Sequence, residues 1–409
     1  MPLRLPASSR FRALALLTLG LAAIGCAPKA PAGAPKRYLA ITHSALDRVS
    51  FFDLDARRMV GVLPTQKLPH DMLVTPDGRT LYLVNSGAQS MSVFDLGAPS
   101  LWAQARAFMT RDTSHAIAGA ARPHALASRT LEGGVERHAL TSPDFPARAD
   151  SVHASVGART HTSCTDCHDR SVGAKPFAPV FVRERTAIRL VHLAQREIVE
   201  LDAATLATLH RWPLPIPEHY SPIEAWVKPG TDTAFVTCRD SIGTGLRGVL
   251  SVVDLASGRE IKRLSPGIFP WHVLPTPDGR QLVVNNFQSS RLAIVDLATL
   301  QVVDSITVEN GPAGMLFTDG GRTLLVSCFY TGRVLSVDFA SRAVKQRMDV
   351  GSNPTSLLAT RDGARVWVLC GGESALEMLD VRTAKIVEKH ALLFGAYAVQ
   401  PVPPGIDPS

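Results

Sequence analysis

The sequence predicts an all-β chain, a seven-bladed β-propeller closed by its own C-terminal strand, and three observations lead there. First, short runs rich in β-branched and aromatic residues recur throughout. Among them are Tyr38-Leu39-Ala40-Ile41, Leu81-Tyr82-Leu83-Val84, Leu282-Val283-Val284, Leu324-Leu325-Val326 and Val366-Trp367-Val368-Leu369, with no long helical pattern beyond residue 36. Second, the runs recur in register. A strand ends in a polar or small residue, a loop follows, and the next strand ends in Asp. The pairs are His43/Asp53, Asn85/Asp95, His192/Asp202, Cys238/Asp254, Asn286/Asp296, Cys328/Asp338 and Cys370/Asp380, and six of the seven are ten residues apart. Third, the steps from 43 to 85, 286 to 328 and 328 to 370 are each 42 residues. That length holds four strands, which is one propeller blade.

Residues 1–25 have the features of an export signal. Arg4, Arg10 and Arg12 precede the apolar run Ala13 to Ile24, which is too short for a comfortable membrane span. The run ends at Ala23-Ile24-Gly25-Cys26, which resembles a bacterial lipobox with Ala23 where leucine is usual. Gly25 is small enough for cleavage before Cys26, whose thiol then carries lipid. Cleavage without lipidation is the alternative. Ala27, not Asp, follows the cysteine. Resemblance to lipoprotein sorting rules then implies the outer membrane of a Gram-negative-type envelope rather than the inner one. Residues 26–36 are a stiff Pro/Ala-rich tether. The net charge of +7 includes the three signal arginines, so the exported chain is only mildly basic, and export argues against a nucleic-acid partner. Hydrophobic residues are 45% and charged residues 19%, enough to bury a large core.

The propeller occupies residues 37–405. A proline opens another strand between units, often followed by a Pro-Asp-Gly turn, as at Pro69 with Pro76-Asp77-Gly78 and Pro270 with Pro277-Asp278-Gly279. The step from Asp to that proline is 16 at 53–69, 254–270, 296–312 and 338–354. Blade 1 opens near Lys36 with what reads as a second strand. Ala396 to Val402, starting 16 residues after Asp380, reads as the missing first strand. Its return to blade 1 leaves no open sheet edge. The seven aspartates, one in every blade, read as turn caps rather than catalysts. Phrases such as Pro69-His70-Asp71-Met72-Leu73-Val74-Thr75-Pro76-Asp77-Gly78 and Leu83-Val84-Asn85-Ser86-Gly87 resemble the YVTN-type repeats of YncE-like propellers. The resemblance spans most of residues 36–405 and implies a fold more than a function.

The repeat breaks once. From Asp95 to Pro176 is 81 residues instead of 16, which defines an insertion over 97–175. Blade 3 then opens at Pro176, and the insertion leaves from the link between blades, on the face shared by His43, His70 and His192. A rival alignment opens blade 3 at Pro123-His124-Ala125-Leu126. Inside the insertion lies Cys164-Thr165-Asp166-Cys167-His168, the attachment signature of a c-type haem. The two thiols add to the haem vinyl groups, and His168 is the proximal iron ligand. A Cys164–Cys167 disulfide or a partial zinc site is the alternative, with no fourth zinc ligand at definite spacing. The sixth ligand is expected at His153, ahead of Met109, His115, His124, His138 and His161, and an open position would point to catalysis.

Cys238, Cys328 and Cys370 share one slot in three blades, too far apart for disulfides, and read as buried small residues. The alternative is a soft-metal site with His43 and His192. Nitrite-reductase-type propellers hold a modified haem with histidines at the channel mouth. Here His70 stands at that slot and His272 one place beyond its equivalent, among Ile223, Trp271, Ala313 and Thr355. That is not a ring of ligands, so His70 reads as structural. No catalytic acid/base cluster is legible. The expected function is electron transfer by a lipid-anchored, monomeric propeller carrying one haem c, with a redox partner protein. An oxidoreductase using the channel mouth and a non-redox scaffold are the other two readings.

Overall fold

A computed structural model of the protein describes residues 37–120, 167–172, 175–240, 247–360 and 363–403, with backbone alone at 111–120 and 167–170. Seven four-stranded antiparallel sheets form seven blades. The first strand of each blade lies at the axis. These strands are Ala396–Val402 in blade 1, Pro69–Val74, Pro176–Val182, Tyr220–Val227, Pro270–Pro275, Pro312–Thr318 and Pro354–Ala359. Ala396–Val402 pairs antiparallel with Tyr38–His43, Tyr38 opposite Val402, so the ring closes as the sequence predicts.

Second and third strands read as continuous apolar runs because both of their faces are covered by neighbouring blades. Every residue of Tyr38–His43 is buried. The core is therefore divided into layers between blades. Phe235, Leu250 and Val252 of blade 4 meet Leu282, Val284 and Val295 of blade 5, and Trp367 and Leu369 of blade 7 meet Leu39, Ile41 and Phe52 of blade 1. Fourth strands face solvent, as in Gln301–Thr307, where only Ile306 is buried.

Two faces follow from the pairing. On the proline face first strands begin and second strands end, as in Pro69 opposite Asn85. On the aspartate face third strands end. There all seven aspartates cap the following turn, as expected. Asp296 Oδ1 accepts from the Thr299 N–H at 2.7 Å, Asp380 from Thr383 at 2.8 Å, and Asp95 from Gly97 at 2.8 Å. Asp53, Asp202, Asp254 and Asp338 do the same. Hydrogen bonds from Thr or Ser hydroxyls and backbone N–H groups hold Asp202, Asp254, Asp296, Asp338 and Asp380 below the usual carboxylate range.

The place of the insertion is corrected. Cys167–Ser171 is the fourth strand of blade 2, pairing with Ser90–Asp95. The extra chain therefore runs from Asp95 to Cys167, between third and fourth strands, and leaves from the aspartate face. Blade 3 opens at Pro176, opposite His192, and not at Pro123. The insertion begins with one long helix that the sequence reading missed, α1 (Pro99–Ala120). Trp102, 1% exposed, packs its ring 5.5 Å from Tyr38 and 4.8 Å from Phe51 and donates its indole N–H to the Leu96 carbonyl at 2.8 Å. Ala105 lies so close to Gly61 that a Cβ at 61 would stand 2.8 Å from its own, so only glycine fits there. Arg48 covers the Phe108 ring at 4.8 Å. Tyr38 pairs with Asp53 on the aspartate face and Arg48 with His43 on the proline face. Helix α1 thus climbs the outside of blade 1 from one face to the other.

Candidate functional sites: the blade 2 motif and the axial mouth

Cys26, His153 and Cys164 lie outside the described residues, as do His124, His138 and His161. Cys167 and His168 open the fourth strand of blade 2, in register with Phe94 and Val93. They stand at the aspartate-face end of an outermost strand, whose second edge has no partner strand in the sheet. His43, His70 and His192 belong to the proline face and do not share the face of Cys167, contrary to the sequence expectation. The cause is that one further strand separates the insertion from the blade link. Met109 rides on α1 about 15 Å from the helix start at 1.5 Å per residue, on the way to the proline face.

The donor set of two thiols and one imidazole fits a c-type haem, but the extended backbone at 167–168 does not. Consecutive positions of a strand belong to opposite faces, whereas one porphyrin gripped at 167 and ligated at 168 needs both on one side.

Cys238, Cys328 and Cys370 are buried free thiols, as expected. Burial raises Cys328 to about 12 and pushes Cys238 and Cys370 up as well, which leaves them unreactive. His43 is wholly buried between the Leu393 carbonyl (Nδ1, 3.0 Å) and the Ser50 hydroxyl (Nε2, 2.7 Å). His192 is bonded to Glu197 at 2.8 Å. Among the described residues no group of three or more His, Cys, Asp or Glu is placed to hold a metal ion.

The axial mouth on the proline face carries a constellation of its own. Each first strand is irregular just past its start; in blades 2, 4 and 5 the register shifts at Pro69/Met72, Pro222/Glu224 and Pro270/Val273. Such bulges re-aim side chains. The second-strand residue just before the partner of the opening proline, before Cys238 in blade 4 and Asn286 in blade 5, pins several of them. Thr237 donates to the Trp271 carbonyl at 2.7 Å, and Asn285 accepts from His272 N–H at 2.6 Å. The slot two beyond Pro69, Pro176, Pro222, Pro270, Pro312, Pro354 and Ala396 holds Asp71, Ala178, Glu224, His272, Gly314, Ser356 and Ala398 round the ring.

Asp71 Oδ2 accepts from the Ala178 N–H at 3.0 Å and lies 3.1 Å from His70 Nδ1. The His70 ring packs 4.0 Å from Tyr397 and 4.4 Å from Phe177. Glu224 Oε2 accepts from His272 Nδ1 at 2.8 Å, and Trp271 stacks on His272 with centroids 5.0 Å apart. Burial works to raise Asp71, but His70, the Ala178 N–H and His272 outweigh it and bring it down to about 2. Burial works to lower His272, and Glu224 and Asp71 together overcome it, so its pKa is raised. Asp71 and His272 come from blades 2 and 5, on the first strands Pro69–Val74 and Pro270–Pro275 that line the axis. The Glu224–His272 pair escaped sequence reading because its members are 48 residues apart, whereas His70 and Asp71 are consecutive and only their neighbours across the ring are hidden by chain order. The available signal was the shared slot, where only blades 2, 4 and 5 carry a charge.

Comparison with known proteins agrees with this architecture. A family model described as a YNCE-like beta-propeller matches residues 276–365, which run from the turn after the first strand of blade 5 to the start of the second strand of blade 7. No curated protein matches the chain. A functionally unknown protein from Desulfotomaculum acetoxidans is similar at a TM-score of 0.59 and 12% identity, over 90% of this chain and 99% of that one. The dihydro-heme d1 dehydrogenase NirN in complex with DHE aligns at 0.54 and 12%, over 89% and 74%. Kuenenia stuttgartiensis hydrazine synthase aligns at 0.53 and 14%, over 86% and 94%. At these identities the likeness is one of fold, and the chain is a seven-bladed β-propeller with a YNCE-like segment.

Proposed function

We propose that this protein is a lipid-anchored, monomeric propeller of the cell envelope that carries one covalent c-type haem and transfers electrons to or from a partner protein. The observation that carries the reading is Cys164-Thr165-Asp166-Cys167-His168 on a chain with an export signal ending at Cys26. When attached, the haem supplies one-electron transfer. Cys164 and Cys167 are its tethers, His168 its proximal ligand and His153 the favoured second ligand. Attachment requires the first two pairs of the strand, Phe94–Cys167 and Val93–His168, to open. Their place at the end of an outermost strand makes that opening inexpensive, since no further strand is lost with them. The propeller supplies the docking surface, and the envelope location favours the outer membrane, facing periplasm or surface.

A second reading, an oxidoreductase with a substrate at the axial mouth, draws on the Glu224–His272 and Asp71–His70 pairs. The fold shared with a dihydro-heme d1 dehydrogenase supports a propeller in haem chemistry without assigning the mouth.

Intact-mass analysis and an absorption spectrum of the exported protein test the first reading. The expected result is a chain cut before Cys26, acylated, and heavier by one haem with a c-type reduced spectrum. Both motif thiols found free of porphyrin would end it.

A further inference from the structure

Five asparagines stand in the chain: Asn85, Asn285, Asn286, Asn310 and Asn353. Four are held. Asn85, Asn285 and Asn286 are buried with their carboxamides bonded. Asn85 donates to Ser90 and Ser92, Asn285 to the Pro312 and Ala313 carbonyls, and Asn286 to the Pro266 and Arg291 carbonyls. Asn353 donates to the Phe329 carbonyl at 3.4 Å, and the Pro354 that follows it has no N–H. Asn310 is the exception. It is exposed, in the link between blades 5 and 6, and Gly311 follows it. Among the described residues, neither its carboxamide nor the Gly311 N–H has a hydrogen-bond partner.

That freedom has a chemical consequence. A backbone nitrogen can attack the carboxamide carbon of the residue before it and close a five-membered imide. Holding the two groups one residue apart supplies the proximity of an intramolecular reaction, and glycine has no side chain to crowd the ring. The chain contains its own contrast. In the turns at Asp77-Gly78 and Asp278-Gly279, the glycine N–H donates to the Thr75 and Thr276 carbonyls, each at 2.8 Å. The two carboxylates accept from the Arg79 and Arg280 N–H groups at 3.0 and 3.1 Å. Both reacting groups are occupied there, and neither is at 310–311. The fold also fixes glycine at the site. Gly311 has a φ of +74°, and a Cβ on it would stand 2.6 Å from Tyr330.

We propose that Asn310 is a site of spontaneous modification, where the Gly311 nitrogen displaces ammonia and water then leaves a mixture of aspartate and isoaspartate. The bond from the Gly311 nitrogen to Cγ forms as the Cγ–Nδ2 bond breaks. The proton of the Gly311 nitrogen passes through solvent to the departing ammonia. Water then adds at either imide carbonyl. Opening at Cγ restores the original backbone and leaves aspartate, whereas opening at the main-chain carbonyl routes the backbone through Cγ. Nothing is oxidised or reduced. Either product adds a carboxylate that is ionised at neutral pH, beside Glu309, which accepts from Arg333 and Arg347 at 3.2 Å each. Isoaspartate also lengthens the main chain by one carbon, two residues before the Pro312 that opens the axial strand of blade 6. The site stands with or without haem on blade 2.

Peptide mapping by mass spectrometry of the full chain, aged folded in warm neutral buffer, tests it. An unaged sample digested in parallel corrects for change during digestion. The tryptic peptide Leu292–Arg322 contains Asn310 and no other asparagine. It should lose one ammonia and gain one water, with fragment ions placing the change at 310 in two chromatographically separate isomers. Peptides carrying the other four asparagines should stay unchanged over the same interval. Asn310→Gln should abolish the change, and its melting curve should match that of the unmodified chain because the side chain is exposed. Ageing in urea supplies a second comparison, in which Asn85, followed by Ser86, should begin to react once its bonds are lost. No change at 310 in the folded chain overturns the proposal, as does an equal change at a buried asparagine. Aspartate formed without isoaspartate would mean direct hydrolysis rather than closure on Gly311, and the proposal would fall.

Discussion

On the aspartate face every blade ends its third strand with the same residue, which binds the same turn. On the proline face, one slot per blade holds Asp, Ala, Glu, His, Gly, Ser and Ala in turn. The two faces sit on the same seven sheets, so their difference separates what a blade needs from what this protein adds. A repeated side chain satisfies backbone N–H groups that each copy of the turn leaves open. A varied side chain in a repeated slot is free of that duty, and its chemistry reflects the site it lines. The insertion obeys the same logic. Asp95 still caps its turn through Gly97, and the extra chain enters only after that bond is made.

Several changes would break or sharpen this contrast. The largest effect is expected from Trp102→Ala, which removes the buried anchor of α1. A loss of about 3–5 kcal/mol is expected for an aromatic truncated in a packed site, read by urea denaturation. A change under 1 kcal/mol would mean that the insertion is not fastened to blade 1.

Acid should act next, and on the proline face. Burial lowers His43 to about 4, against the Leu393 and Phe394 hydrogen bonds that work to raise it. A depressed histidine pKa contributes stability that is present above the unfolded value of about 6.5 and is lost as pH falls toward 4. The loss should approach about 3 kcal/mol and appear first as faster hydrogen exchange in Ala396–Val402, whose approach His43 holds through Leu393. Uniform loosening of all blades would count against that local cause.

Asp296→Ala should cost about 1 kcal/mol, the worth of its turn bonds, and leave the mouth unchanged. Glu224→Gln is the matching change on the other face. It should bring the His272 titration below its present raised position in NMR, because burial then prevails. The sign is opposite to that of His43. A raised histidine pKa stabilises fully below about 6.5 and is lost as pH climbs through the folded value. The smallest effect is expected for Val303→Ser on the outermost strand of blade 5, where the side chain is 51% exposed. Its stability change should stay within about 0.5 kcal/mol.

The ring, its seven blades and its closure were legible because propeller repeats keep one period and one pair of landmarks. The aspartate caps were legible for the same reason. Helix α1 was passed over although Leu101, Trp102, Ala105 and Phe108 recur at helical spacing. Its apolar stripe is short, and it lies where the repeat period gives no guide. The fourth strand of blade 2 was missed because Cys167-His168-Asp169-Arg170-Ser171 has no apolar alternation to mark it. Outermost strands bury little, so their pattern is weak in every blade. The ion pairs of the mouth, where His70 and His272 were already expected, were missed for a different reason. Glu224 and His272 are 48 residues apart and meet only through neighbouring blades, and no local pattern encodes such a meeting.

Tyr38 pairs with Val402, so a strand near the start of the ring waits for one made among the last. Five blades can assemble from neighbours in sequence, each a local hairpin problem, and blade 2 lacks only the strand beyond its insertion. The seventh requires the entire intervening chain to be in place before its innermost ladder can form. Such a long-range contact is slow to reach, and until it forms, blades 1 and 7 lack the strand that lies between their cores. Synthesis halted shortly before residue 396 would therefore leave a nearly complete circle with a sticky gap, and quality control of this protein should hinge on Ala396–Val402.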